Sequence, residues 1–190
     1  MASADEYYNF GYNAFLKDSS FEVPVSIDIE HHEIHEGGHY FVDGVQDIAI
    51  NHVLDFTWLM PDTARWIHWT WNLACEAETI YQVYEGAVAT NPLANLVTPN
   101  NSNRNSTKTS GTVMRFEDQA TLAAANTDTD VTTATLIQTG IIGAGRTAGA
   151  ANRTHEIIMK QNTLYCLRAT ASAAGYQNFT MQWYEHTDWR

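Results

Sequence analysis

The stretch Arg65–Leu73, RWIHWTWNL, restricts the fold more than any other part of the chain. Ile67, Trp69, Trp71 and Leu73 alternate with Trp66, His68, Thr70 and Asn72. A period of two sends successive side chains to opposite faces, so this is a strand with one broad aromatic face to bury. The same alternation recurs in TIYQVYEG, where Ile80, Gln82 and Tyr84 oppose Tyr81 and Val83. TATLIQTG, HEIIMK, TLYCLRATA and NFTMQWYEH continue it. Turn signals fall between the runs: Asp43-Gly44, Glu85-Gly86, Asn91-Pro92, GAG at 143–145 and AAG at 173–175. No long amphipathic helix is visible, and only DQATLAAAN, 118–126, predicts a short one. Many short strands with turns between them predict an all-β fold, an antiparallel β-sandwich or jelly roll.

The 190 residues suit one domain with an appendage. Residues 25–190 carry the strand pattern. Residues 1–24 read as an extended N-terminal arm, because Tyr7, Tyr8, Phe10, Tyr12 and Phe15 are interleaved with Asn, Asp and Gly in neither period. Such aromatics have little core of their own, so they are expected to dock on the sheet or on a neighbouring subunit. Two polar stretches, 98–111 (TPNNSNRNSTKTSG) and 126–133 (NTDTDVTT), read as loops. The first is long enough to reach a partner, which makes Asn103, Arg104 and Asn105 candidate contact residues.

Charge narrows the partners. The net charge is −12 with only ten Lys and Arg, and charged residues make up 17% of the chain. A phosphate backbone needs a basic surface and an anionic membrane repels an acidic one, so neither nucleic acid nor membrane is an expected partner. The first twenty residues lack a basic segment followed by an apolar one, so folding in cytoplasm is expected. There Cys75 and Cys166, each inside a strand-like run, would be buried free thiols.

HHEIHEGGHYF, 31–41, holds four of the eight histidines and raises the question of a metal. The zinc-protease pattern needs His-Glu-x-x-His on a helix, and His32-Glu33-Ile34-His35 is one residue short. His35 and His39 stand four apart, but Gly37 and Gly38 between them would cost a helix about 2 kcal/mol. Read as an edge strand ending in a Gly-Gly turn, the stretch separates His31 from His35 by roughly 13 Å. The His-x-His of a metal-binding jelly-roll enzyme is absent. No metal, cofactor or catalytic residue is therefore expected here. GIIGAGRTAG, 140–149, lacks the Gly-Lys-Ser/Thr ending of a phosphate loop and reads as a turn between strands. No Gly-x-Ser-x-Gly is present, and neither cysteine has an activating neighbour. The six tryptophans could form a sugar-stacking platform, but their strand positions favour core.

IHEGGHYFV (34–42), YEGA (84–87), NRNS (103–106), GAGRTAG, EIIMKQNTLYCLRAT (156–170) and QWYEH (182–186) occur in this order. Taken together they resemble a family of tailed-bacteriophage virion proteins that includes capsid decoration, or cement, proteins. The likeness spans about residues 25–187, and no single segment encodes chemistry. It implies a β-sandwich protein, not an enzyme, that is made in the host cytoplasm and ends on the capsid exterior. There a homotrimer would bind the major capsid protein and stabilise the expanded shell. A tail or head-fibre adhesin that binds host-surface glycans is the alternative reading.

Overall fold

A computed structural model describes residues 8–10, 13–17, 24–89, 96–119, 129–143 and 149–187. In chain order the elements are β1 (Tyr8–Phe10), β2 (Asn13–Lys17), β3 (Pro24–Ile27), α1 (Ile29–Glu36), β4 (His39–Ile48), β5 (Val53–Leu59) and β6 (Arg65–Cys75). There follow β7 (Thr79–Glu85), β8 (Val88–Ala89), β9 (Leu96–Val97), β10 (Asn100–Asn101), β11 (Val113–Gln119) and β12 (Thr129–Asp130). The last four are β13 (Thr135–Ile142), β14 (Gly149–Met159), β15 (Leu164–Ala171) and β16 (Gly175–Thr187).

The fold is all-β with antiparallel pairing, as the alternation predicts. One sheet runs β10-β4-β16-β6-β14, and the other runs β13-β7-β15-β5-β11-β9. A small ribbon pairs β12 with β8, and β1-β2-β3 form a separate three-stranded sheet whose middle strand approaches α1. Part of the expected arm is thus hydrogen-bonded backbone: Tyr8, Phe10 and Phe15 lie in strands, whereas Tyr7 and Tyr12 lie outside the described residues.

One apolar core draws residues from both large sheets. In β6, Ile67, Trp69, Trp71 and Leu73 are all buried, which is the face the sequence marks. The two sheets meet through aromatic contacts: Trp58 with Trp69 at 4.4 Å between ring centroids, Phe56 with Phe179 of β16 at 4.0 Å, and Trp71 edge-on to Tyr81 at 5.1 Å. Offset and tilted pairs of this kind add about 0.5–1.5 kcal/mol beyond the area they bury. Trp58 and Trp183 are buried too, so among the described tryptophans Trp66 alone is exposed. Cys75 and Cys166 are buried free thiols, as expected.

Three local expectations are corrected. Asp43-Gly44 makes no turn but lies within β4, because Phe179 is the cross-strand partner of Gly44 and lays its ring where a Cβ would stand. The glycine serves ring packing, as Gly140 does under Tyr81. Asp118 and Gln119 end β11 rather than open a helix; residues 120–128 lie outside the described residues.

The third correction concerns residues 31–36, which are helix and not strand. Asp28 caps α1, its Oδ1 accepting the Glu30 amide at 2.9 Å. Gly37 ends it at φ +72°, with its own amide bonded back into the last turn. The glycines counted as a cost inside a helix are in fact its stop. His31 and His35 consequently lie one turn apart, their Nε2 atoms separated by 3.0 Å.

Candidate functional site

The segments singled out in the sequence meet at one end of the five-stranded sheet. Helix α1 packs against β4 and β16, and its C-terminus presents carbonyls that need donors. The loop after β10 supplies them. Asn101 Nδ2 donates to Gly37 O (2.9 Å) and to Lys108 O (3.1 Å), and Asn103 Nδ2 donates to His35 O (3.0 Å). Asn101 Oδ1 accepts the Asn103 amide at 2.9 Å, and Asn103 Oδ1 accepts that of Asn105 at 3.1 Å. Short Asn side chains bonding the backbone two residues on give a loop a fixed shape without regular structure. Ser102 Oγ also lies 2.6 Å from His39 Nδ1.

These bonds assign the three loop candidates. Asn103 ties the loop to the helix end. Arg104 folds back onto Asn100 Oδ1 (3.4 Å) and Asn101 O (3.3 Å), and Asn105 is exposed. The loop's far end is held by Glu185 of β16. This carboxylate is almost fully buried and accepts from the Ser110 hydroxyl (2.5 Å), the Gly111 amide (3.1 Å) and Trp183 Nε1 (3.3 Å).

A cleft of about 380 Å³ opens between α1 and the ends of β6 and β16, walled by His32, Glu33, Arg65, Lys108, Glu185 and His186. Beside it the outer face of the sheet carries a bonded chain of polar groups. His68 Nδ1 lies 2.9 Å from Glu156 Oε2, and the Tyr184 hydroxyl donates to that same oxygen at 2.8 Å. His68 Nε2 faces His186 Nε2 at 2.8 Å, and His186 Nδ1 faces the Thr187 carbonyl at 2.9 Å. Burial holds the His68 pKa below that of a free imidazole, against the opposing pull of Glu156. Burial likewise lowers His39 and raises Glu33. Tyr184, buried against Glu156, keeps its proton far above the usual range. No group of three or more His, Cys, Asp or Glu that could hold a metal converges among the described residues.

A second polar cluster lies on the outer face of the six-stranded sheet, under the β8–β12 ribbon. Arg168 and its register partner Asp55 form a two-pronged pair at 2.8 and 2.7 Å, and Arg168 also donates to Thr129 O at 3.1 Å. Arg115 pairs with Glu117 alongside, and the Thr129 hydroxyl donates to Glu117 at 3.4 Å. At the other end of this sheet Lys160 pairs with Glu85, which also accepts the Tyr165 hydroxyl at 2.9 Å.

No protein-family model matches the chain, and neither a curated protein nor a solved structure matches it.

Sequence reasoning passed over His68, Glu156, Tyr184 and His186. His68, Tyr184 and His186 occupy polar-face positions of strands whose other face is aromatic, Glu156 lies on a strand without aromatics, and His68 and His186 are 118 residues apart. Only a histidine within three residues of a buried tryptophan, in IHW and WYEH, hinted at them.

Proposed function

We propose that this chain is a tailed-phage virion structural protein, a decoration protein that binds the outside of the capsid as a homotrimer and stabilises the expanded shell. The observation that carries the reading is the meeting of the segments that bear the resemblance. IHEGG, NRNS and WYEH bond to one another at one end of the fold, through Asn103 to His35 O, Gly38 O to the Glu185 amide, and Glu185 to the base of the loop. YEG, MKQNT and LYC bond at another, through Glu85, Lys160 and Tyr165. Segments that build loop scaffolds fit a protein whose work is contact. We infer that the two large sheets form a β-sandwich, with the N-terminal segment reaching the capsid.

The subunit contact we assign to the edge of the six-stranded sheet. Ile141 of edge strand β13 stands opposite Ile80 of β7, and the two are 60% and 45% exposed. Leu136 and Ile137 lie exposed on the same edge strand. An unpaired strand edge with apolar side chains is a template for association. The action is linkage: a protein that binds only the expanded lattice stabilises it by RT ln(1 + [L]/Kd) per site. Three linked copies raise one another's effective concentration. Glycan adhesion draws less support, because Trp66 is the one exposed tryptophan among the described residues.

The test is the mass of the purified chain by light scattering, followed by image reconstruction of virions that carry it. A trimer, with density at capsid three-fold positions, is expected. A stable monomer, or a virion holding only a few copies, would overturn the reading.

A further inference from the structure

The His68–His186 contact has an unusual proton count. A carbonyl oxygen can only accept, so His186 Nδ1, 2.9 Å from Thr187 O, carries the ring proton and its Nε2 bears a lone pair. His68 Nδ1 faces a carboxylate oxygen at 2.9 Å, so it too carries the proton and its Nε2 bears a lone pair. Tyr184 cannot reverse this assignment. If its hydroxyl donated to His68 Nδ1 instead, at 3.0 Å, Glu156 Oε2 would face two heavy atoms with no proton between. With both rings neutral, the two Nε2 lone pairs face one another across 2.8 Å, a gap that a shared proton or a metal cation bridges.

We propose that His68 and His186 form a binding site for a divalent transition-metal ion of borderline softness, such as Zn²⁺, bound through both Nε2 atoms. Three observations support it. Imidazole is the ligand such ions favour. Ligand histidines nearly always fix their other nitrogen on a carboxylate or backbone carbonyl, and here Glu156 and Thr187 O do this for the two rings. The space is also available: His186 lines the 380 Å³ cleft, where water can complete the coordination shell. Nitrogens bound to zinc at about 2.05 Å stand roughly 3.3 Å apart at the tetrahedral angle, or about 2.9 Å at a right angle, so a small ring movement suffices. With two protein ligands the affinity should be micromolar rather than that of a structural zinc centre. The site rests on none of the argument for a capsid role.

His31 and His35, one helical turn apart with Nε2 atoms at 3.0 Å, are an exposed competitor without such orienting partners among the described residues. The experiment therefore uses full-length H31Q/H35Q, stripped with chelator and titrated with Zn²⁺ by calorimetry at pH 7.5. One ion per chain is expected, with a rise in Tm at saturating zinc. Adding H68Q or H186Q should abolish both. E156Q, which keeps both ligands, should weaken binding about 10–100-fold. Because a histidine variant could also disturb folding, Co²⁺ absorption of the parent gives a second readout, expected to report nitrogen ligation. Absence of saturable binding at 100-fold excess zinc, or binding that survives both H68Q and H186Q, would overturn the site.

Discussion

The Asp55–Arg168 pair gives the sharpest test of how the six-stranded sheet is held together. Asp55 is 0% and Arg168 7% exposed, and the two are cross-strand neighbours in the middle of the sheet. Burial alone would discourage charge on Arg168, but the two-pronged Asp55 carboxylate outweighs it and holds the guanidinium more firmly protonated than usual. On the other side of Asp55, in the same register row, stands Glu117. Replacing Arg168 with Met would leave one buried carboxylate directly opposite another. Breaking a buried pair by removing one partner costs about 3–5 kcal/mol, a large share of the roughly 5–15 kcal/mol that holds a typical domain folded. At about 2–4 °C per kcal/mol for a chain of this size, R168M should lower Tm by roughly 6–20 °C. D55N should cost less, because Arg168 retains the Thr129 carbonyl. The double variant D55L/R168M removes both charges and should recover most of the loss, since apolar replacement of a whole buried pair is often neutral. Urea unfolding followed by tryptophan fluorescence, at one fixed protein concentration, measures all three. If R168M costs less than about 1 kcal/mol, or if the double variant costs the sum of the singles, the reasoning fails.

Two further outcomes follow from the helix end of the fold. Burial lowers the His39 and His68 pKa values, so the unfolded chain takes up protons near pH 6.5 while the folded chain resists. Their stabilisation is complete above that pH and is lost as pH falls below it. Glu30 and Glu33, raised chiefly by burial, act in the opposite sense above about pH 4.5 and offset part of the loss. Tm should fall between pH 7 and pH 5.5, and less steeply in H39Q; a flat or rising profile would refute the assignment. Gly37→Ala must hold a left-handed φ and overlap Ser106 Oγ, which should cost about 1–3 kcal/mol. An unchanged Tm would mean that the loop is not seated on the helix end.

The core was legible because β6 is uninterrupted alternation, and burial follows that alternation residue by residue from Ile67 to Leu73. What failed were signals whose meaning depends on a distant partner. Asp43-Gly44 has turn composition, but Phe179 across the sheet decides its role. Gly37 reads as a break inside a helix only when the cap at the other end is ignored; Asp28 and Gly37 as a pair of caps frame residues 29–36 from sequence alone. The meeting of His68 with His186, or of Arg168 with Asp55, could not be read from spacing, because sheet order creates both contacts.

That order has a consequence for synthesis. β15 lies between β7 and β5, and β16 lies between β4 and β6, so two consecutive strands fill the middle of both large sheets. β6 ends at Cys75 and β16 begins at Gly175. At about 5–20 residues per second, β4 and β6 leave the ribosome roughly 5–20 s before the strand that joins them. Until then neither sheet has a centre, and the tryptophan-bearing edges of β5 and β6 await partners. A nascent chain stopped before residue 164 would lose the keystone of both layers together, not merely an outer strand, so half-made chains should depend on chaperones or proteases.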